Sequence, residues 1–221
     1  RIGIARTIAH EVRNPLTNIS LAAEQVRELG ESTEDRDLLL DMIDRSATRI
    51  NQLVSDLLNS TRVEQLEYIQ TDINILIDEA LELAQDRLDL SHINLSKDYS
   101  SSLPGILIDT GKIKLAFLNI IVNAIESIEG GRGELSIRTY AANDKCHIEF
   151  RDNGIGMDED TQLKLFEPYF TGKPQGNGLG LTHTQAIILN HKGSINVYSK
   201  PGQGSTFTII LPFNIKQETD L

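Results

Sequence analysis

Apolar residues near the start of the chain recur in alternating steps of three and four. This heptad spacing is typical of a helix that packs along one seam. The predicted helix ends at Gly30, because glycine readily adopts the left-handed conformation that follows a helix. The residues of the seam are Ala5, Ile8, Val12, Pro15, Ile19, Ala22, Val26 and Leu29.

A second amphipathic helix is predicted after a cap at Ser32 or Thr33, with acidic residues in its first turn. A hairpin of two such helices cannot bury so broad an apolar face by itself. We therefore expect two copies of residues 1–66 to pair as a four-helix bundle, which makes the protein a homodimer. The apolar row of the second helix comprises Leu40, Ile43, Ala47, Ile50, Val54 and Leu57.

The heptad pattern fades between residues 64 and 72, and helical and alternating segments then follow one another. We predict a second domain at residues 67–215 and a flexible tail at 216–221. Its mixture of elements predicts an α+β two-layer sandwich, in which one mixed sheet packs against helices. The predicted helices are Asp72–Leu88, Gly111–Ile128 and Gly178–Asn190, and the predicted strands are Ile93–Tyr99, Ile106–Ile108, Glu134–Tyr140, Lys145–Arg151, Ser194–Ser199 and Ser205–Leu211.

Two details refine this pattern. Hairpin turns are predicted at Asn143–Asp144 and at Pro201–Gly202, where turn-forming residues separate alternating strands. The apolar residues of the helix that begins at Gly111 are Leu115, Leu118, Ile121, Val122 and Ile125.

The formal net charge of the 221 residues is −11 at pH 7. This acidity argues against nucleic acid or an anionic membrane as a partner, because both require concentrated Lys and Arg. The single cysteine, Cys146, excludes an internal disulfide and is expected to be buried and unreactive. No apolar run approaches the roughly 20 residues of a membrane span, and no signal peptide is recognisable. Since the first residue already lies in the helical pattern, we expect a fragment whose N-terminal portion is missing.

His10 is the candidate reactive residue of the first helix. If Ala5 occupies heptad position a, His10 falls at position f, farthest from the partner helix. Glu11 is its neighbour, and Asn14, four residues on, shares its helix face. A proline inside a helix costs roughly 3 kcal/mol, so Pro15 indicates a purpose beyond packing. The alternative is an ordinary solvated histidine.

Two segments of the second domain carry residues suited to a nucleotide and its metal ion. Asn119 and Asn123 lie four residues apart on one helix face, and their amide oxygens suit Mg²⁺. Asp152 follows a strand and precedes Gly154, Gly156 and Met157. Its carboxylate can accept a hydrogen bond from an exocyclic amine of a base. The glycines allow the backbone to approach the base closely. The alternatives are asparagines that are solvated or act as caps, and a simple tight turn.

A third segment, which comprises Gly176, Asn177, Gly178, Leu179 and Gly180, runs into the last helix. Glycine-flanked amides at a helix N-terminus can cradle phosphate groups. The segment before it combines aromatic and polar residues, which suits a lid with a lysine that reaches a phosphate; a hydrophobic mini-core is the alternative. The lid residues are Phe166, Tyr169, Phe170 and Lys173. His183 and His191 are expected to pack or to be solvated.

Residues 8–16, with His10, Glu11, Asn14 and Pro15, resemble the phosphoacceptor box of bacterial two-component sensor histidine kinases. In order and spacing, the later segments are similar to the N, G1, F and G2 boxes of that family's ATP-binding domain, which has the Bergerat ATPase fold. Residues 202–207 resemble its final strand motif. The resemblance extends from Ile8 to about Pro212.

The resemblance implies ATP and Mg²⁺ as ligands. It assigns Asn123 to the metal ion, Asn119 to the surroundings of the phosphates, and Asp152 to adenine, with Thr206 in support. Gly154, Gly156, Gly178 and Gly180 would shape the pocket. Three residues depart from the commonest family pattern: Asn177 and Gly172 stand where threonine is frequent, and Glu126 stands where some relatives have a basic residue.

The implied activity is autophosphorylation of His10, with Glu11 as proton acceptor, followed by transfer to an aspartate on the receiver domain of a response regulator. Asn14 would orient a water for dephosphorylation of that aspartate. This portion is expected in the cytoplasm, without membrane contact of its own. Two alternatives remain: a clamp-type Bergerat ATPase, which normally has a glutamate where Asn119 stands, and a non-catalytic dimer that senses nucleotide.

Overall fold

A computed structural model describes residues 15–26, 36, 38–40, 42, 43, 45–47, 50, 66–128, 133–168, 170 and 178–213. The chain divides into two compact units, Arg1–Glu64 and Gln65–Leu221. Among the described residues, no helix has the length and apolarity that crossing a membrane requires.

The first unit is helical wherever it is described. Residues 15–26 form a continuous helix with Pro15 and Ala22 buried, and the described residues between 36 and 50 are also helical. The predicted helix end at Gly30, the cap at Ser32 or Thr33 and the catalytic candidates His10, Glu11 and Asn14 lie outside the described residues.

The second unit combines helices and strands, as the sequence predicts. We label its elements in chain order. They are β1 (Ile69–Thr71), α1 (Ile73–Leu90), β2 (Asn94–Tyr99), β3 (Ile106–Ile108), α2 (Thr110–Ser127), β4 (Glu134–Ala142), β5 (Lys145–Asp152), α3 (Glu159–Lys164), α4 (Gly180–Asn190), β6 (Ser194–Ser199) and β7 (Ser205–Pro212).

Five strands form one mixed sheet in the order β2-β4-β5-β7-β6, while β1 and β3 form a separate two-stranded pair. Strands β2 and β4 are parallel, and the other neighbours are antiparallel. Side chains of β4, β5 and β7 alternate between buried apolar and more exposed polar positions, so one face packs on the helices. This arrangement confirms the predicted two-layer sandwich. Cys146 lies in the central strand β5 and is fully buried.

Aspartates begin both long helices of the second unit. The Asp72 side chain accepts a hydrogen bond from Asn74 N at the start of α1, and Asp109 accepts one from Lys112 N at the start of α2. Each cap satisfies a backbone donor that the helix itself leaves unpaired. The Asp109 cap therefore sets where α2, which carries the two candidate asparagines, begins.

The apolar residues of α2 that the sequence analysis names are buried to different extents. Leu115 is 40% exposed, and Leu118 and Val122 are only partly buried. The helix is apolar on most sides, so spacing alone did not identify the side that packs. The residues that it buries are Ile113, Ala116, Phe117, Ile120, Ile121, Ala124 and Ile125.

Candidate functional site

The two candidate asparagines of α2 have different surroundings. Asn119 Nδ2 donates hydrogen bonds to Gly180 O and Thr184 Oγ1, both at 3.3 Å. This carboxamide therefore joins α2 to the first turn of α4. The Asn123 side chain, in contrast, makes no hydrogen bond to any of the described residues and is only partly buried. Its amide oxygen is thus available to a ligand.

The N-terminus of α4 has no side-chain cap among the described residues. Leu179 precedes the helix and provides no side-chain cap, so the first backbone N–H groups keep their capacity to donate. Gly178 has a φ of 63°, a left-handed conformation that favours glycine. A Cβ on Gly180 would meet only Asn119 Cγ, at 4.0 Å. The segment that the sequence assigns to phosphates therefore presents backbone donors next to α2.

Asp152 is the last residue of β5, and its side chain is buried. Its Oδ1 accepts hydrogen bonds from Gly154 N at 2.9 Å, Ser205 N at 3.1 Å and Ser127 Oγ at 3.2 Å. The Ser127 hydroxyl shares its one hydrogen with Ala124 O, at 2.8 Å, so its bond to Asp152 is the weakest of the three. Burial raises the pKa of Asp152, and these hydrogen bonds act in the opposite direction. Because the three bonds converge on one oxygen, Oδ2 is left to accept a hydrogen bond from a ligand.

Glycines allow two loops to interlock beside Asp152. A Cβ on Gly154 would lie 2.2 Å from Ser127 Oγ, and one on Gly156 would lie 1.9 Å from Lys200 O. On the other loop, Gly204 would bring a Cβ to 2.0 Å from Asp152 O, and Gly202 N donates to Ile155 O at 2.6 Å. No side chain fits at the three crowded positions. Gly154 lies against Ser127 at the end of α2, whereas Gly156 and Gly204 let the loop after β5 and the turn before β7 pack backbone to backbone.

The structure corrects the assignment of Thr206. In β7 the buried side chains are those of Ser205, Phe207, Ile209 and Leu211, whereas Thr206 points to the opposite face, where it pairs with the exposed Arg151. Neighbouring side chains of a strand lie on opposite faces, so Thr206 cannot share the face of Asp152 with Ser205. Ser205, and not Thr206, therefore supports Asp152, through its backbone N–H.

Four further residues of this region were not predicted as site residues: Ser127, Ser199, Gly204 and Ser205. Ser199 Oγ accepts a hydrogen bond from Met157 N at 2.8 Å, so Met157 is held through its backbone. The sequence does contain a signal for Ser199 and Ser205. Strand β6 ends with Ser199 and β7 begins with Ser205, so a small hydroxyl residue stands on each side of the last turn. The contact of Ser205 with Asp152, 53 positions earlier, is not readable from spacing.

Two of the candidate lid residues are described, and both are partly buried. Phe166 packs against the hydrophobic core, and its carbonyl accepts a hydrogen bond from Thr182 Oγ1 at 3.2 Å. Phe170 N donates to Glu167 O at 3.2 Å. The core contact of Phe166 agrees with the mini-core alternative. Tyr169, Lys173, Gly176 and Asn177 lie outside the described residues.

His191 joins α4 to the start of α2 at the end remote from Asn119. Asp109 N donates to Nε2 at 3.0 Å, so Nδ1 carries the hydrogen and donates to Ile187 O at 2.8 Å. The ring is fully buried and makes an edge contact with Tyr68 at 5.7 Å between centroids. Burial lowers the pKa of His191. The predicted packing role is thus observed, with both nitrogens engaged.

The second unit therefore brings together an uncommitted carboxamide at Asn123, an uncapped helix N-terminus at Gly178–Gly180 and a buried carboxylate at Asp152. These groups suit a metal ion, phosphates and a base, respectively. Their common element is α2, which carries Asn123 and ends at Ser127, a neighbour of Asp152.

Comparison with known protein families gives two matches. The model of the His Kinase A (phospho-acceptor) domain matches residues 2–66. The model of the histidine kinase-, DNA gyrase B- and HSP90-like ATPases matches residues 108–215.

Individual relatives point the same way. The chain is 37% identical over 210 residues to the signal transduction histidine-protein kinase AtoS of Escherichia coli (strain K12), covering 94% of this chain and 34% of AtoS. It is 34% identical to the sensor histidine kinase ZraS of the same strain, covering 97% of this chain and 46% of ZraS. The chain thus spans between a third and a half of these relatives. A crystal structure of histidine kinase ThkA in complex with response regulator protein TrrA has the same fold, with a TM-score of 0.78 at 23% identity, over 96% of this chain and 61% of that one.

Proposed function

The chain belongs to the two-component sensor histidine kinases, and we propose that it is a catalytic core that phosphorylates its own His10 from ATP. The observation that carries this proposal is the set of groups on the second unit: an acceptor for a base, donors for phosphates and a free carboxamide. They occur in a chain whose residues 2–66 match a phosphoacceptor domain. The phosphoryl group then passes to an aspartate of a response regulator.

ATP binds with its adenine at Asp152 and its phosphates at α4. Oδ2 of Asp152 accepts a hydrogen bond from the 6-amino group, since Oδ1 is occupied by protein donors. The backbone N–H groups that follow Gly178 donate to phosphate oxygens, and the dipole of α4 favours their negative charge.

Asn123 fits a Mg²⁺ ligand, because a neutral amide oxygen with no other partner among the described residues suits a hard cation. The Nδ2 of Asn119 bonds to α4, which fixes the orientation of its carboxamide beside the phosphate-binding amides. When bound, Mg²⁺ would neutralise negative charge on the phosphates. The chain contributes the carboxamide that holds the ion next to the phosphate-binding amides.

At the reacting centre, His10 attacks the γ-phosphorus of ATP. A nitrogen–phosphorus bond forms, the bond from phosphorus to the bridging oxygen breaks, and ADP leaves. Glu11 accepts the proton that the imidazole loses, which keeps the attacking lone pair available. These two residues are proposed from the motif, as they lie outside the described part of the chain.

The proposed assembly is a homodimer formed through residues 1–66. Four leucines of the first unit, each 46–59% exposed in the single chain, support this proposal: Leu16, Leu21, Leu38 and Leu40. Burial of such side chains against a second copy is favourable by about 25 cal/mol per Å² of apolar surface. Since ATP is the phosphoryl donor, the cytoplasm is the proposed location.

The proposed activity is tested by phosphate incorporation from ATP labelled on its γ-phosphate, in the wild type and in His10→Ala. We expect acid-labile label in the wild type only, with nucleotide binding unchanged in the variant. ATP turnover without label, equal in both proteins, would instead indicate a clamp-type ATPase. Asn119, in place of the glutamate that activates water in such enzymes, argues against that outcome.

A dephosphorylating role of Asn14 is tested separately. Asn14→Ala should keep autophosphorylation and lose dephosphorylation of the regulator, because the carboxamide orients water without touching ATP. Equal loss of both activities would contradict the role.

A further inference from the structure

Ser199, the last residue of β6, is a buried hydroxyl at the centre of the two interlocked loops; only 5% of its surface is exposed. Three polar groups surround its Oγ: Met157 N at 2.8 Å, Gly204 O at 2.9 Å and Ser205 Oγ at 3.0 Å. None of the motif segments singled out in the sequence includes it.

The direction of these bonds follows from the chemistry of the groups. A carbonyl oxygen only accepts, so the single hydroxyl hydrogen of Ser199 points to Gly204 O. Met157 N–H and the Ser205 hydroxyl then donate to the two lone pairs of Ser199 Oγ. Every hydrogen-bonding site of the hydroxyl is therefore used, and the network has one consistent arrangement.

Two of the three partners contact Asp152 directly, and the third, Met157, belongs to the loop that Asp152 begins. Ser205 N donates to Asp152 Oδ1, and the α-carbon of Gly204 lies against the Asp152 carbonyl so closely that a Cβ would not fit. Met157 closes the loop that Asp152 begins. Ser199 thus ties together the two backbone segments that determine the orientation of the carboxylate.

Gln162 of α3 also links the two loops that Ser199 connects. Its Nε2 lies 3.2 Å from Met157 O and 3.1 Å from Ser199 O, so the side chain spans both loops. The bond between Ser199 and Met157 is therefore shielded on one side by α3.

We propose that Ser199 is a positioning residue for base recognition: it fixes the Asp152 carboxylate so that Oδ2 meets the 6-amino group of adenine. This inference rests on the proposed function, since it assumes adenine at Asp152. Without the Ser199 hydroxyl, Met157 N–H and Ser205 Oγ lose their shared partner, and the loops that hold Oδ1 are free to shift.

The test compares binding of ATP with binding of purine riboside triphosphate, which lacks the 6-amino group, by calorimetry on the whole chain. In Ser199→Ala we expect the Kd for ATP to rise roughly tenfold, while the Kd for the analogue changes less than about twofold. The rate of autophosphorylation at saturating ATP should stay the same, because the hydroxyl does not touch the phosphates. Thr208→Ala, on the exposed face of β7, is the matched control.

The outcomes separate the inference from the proposed function. If Ser199→Ala weakens both nucleotides equally, the residue supports the fold only, and the inference is overturned. If the wild type itself does not prefer ATP over the analogue, the adenine contact of Asp152 fails instead. Ser199→Cys is slightly larger, retains a polar hydrogen and weakens the three hydrogen bonds. It should show the same selectivity change with smaller magnitude and serves if the alanine variant does not fold.

Discussion

The buried carboxylate of Asp152 has a pKa above its ordinary value because desolvation disfavours its charged form. A carboxyl group whose pKa is raised on folding stabilises the protein below its unfolded pKa of about 3.9. That contribution is lost as the pH rises through the folded pKa. At neutral pH the ionised Asp152 therefore lowers stability in exchange for an acceptor that a ligand can use.

Asp152→Asn should consequently raise the melting temperature at pH 7 while it weakens ATP binding roughly 10- to 100-fold, the loss expected for a charged hydrogen bond. The asparagine can keep Oδ1 for the three protein donors, but it replaces Oδ2 with a donor. Thermal unfolding and calorimetry across pH 4–8 measure both effects. Asp86→Asn, on the exposed side of α1, is the control. A variant that is destabilised at pH 7 and still binds ATP would contradict the assignment.

Two glycines of the last turn have similar backbone conformations and different surroundings. Gly202 and Gly204 have φ values of 72° and 76°, but a Cβ on Gly202 meets nothing within 4 Å. Gly202→Ala should therefore cost only the left-handed conformation, about 1 kcal/mol. Gly204→Ala also forces the backbone away from Asp152 O, so it should cost several times more and abolish ATP binding. Urea unfolding and nucleotide titration of the pair measure the difference; equal costs would show that the close contact is unimportant.

Hydrogen bonds join helices α2 and α4 at both ends of their contact. Asn119 holds the first turn of α4, and His191, after its last turn, accepts a hydrogen bond from Asp109 at the start of α2. Asp109 Oδ2 also accepts a hydrogen bond from Glu67 N, just after the first unit ends. The placement of α2 and α4, and with it that of Asn123 and the N-terminus of α4, depends on a neutral imidazole.

This dependence predicts a loss of stability on acidification. Burial lowers the pKa of His191, with nearby Asp109 acting against the shift and Lys112 with it. The contribution of neutral His191 to the free energy of unfolding is present above the unfolded pKa of about 6.5. It is lost as the pH falls toward the lower pKa of the folded state. The loss is at most about 1.4 kcal/mol per pH unit for one proton. In His191→Gln the pH dependence of unfolding between pH 5 and 7 should flatten, whereas His147→Gln, on the outer face of the sheet, should retain it.

The elements were predictable to the extent that local spacing determines them. The Asn143–Asp144 turn, for example, has positive φ at both residues, as a tight hairpin requires. Strand β1 and helix α3 were not predicted, because three and six residues are too short to show a period. The assignment of Thr206 has a different origin, because the family resemblance implied it. Strand parity is set by which face meets the helices, and two adjacent hydroxyl residues do not reveal it.

Across the whole second unit, the sequence indicates which residues are candidates for binding, and the fold determines how they are held. Asp152, Asn123 and the glycines stand in recognisable segments. Their supports come from far away in the chain: Asp152 meets Ser205 at a separation of 53 residues, and Asp109 meets His191 at 82. Such contacts follow from the strand order and from helix packing, which no local pattern encodes.

The alkylation rate of the single cysteine measures how often the second unit opens. Cys146 lies in the central strand, and burial raises the pKa of its thiol to about 12. Thiol reagents attack the thiolate, so in the closed fold this residue should be almost inert at neutral pH. The speed of its alkylation then reports how often the sheet separates. ATP at 100 times its Kd should slow the alkylation about 100-fold if separation abolishes the nucleotide site. An unchanged speed would show that the strand becomes accessible while the site stays intact.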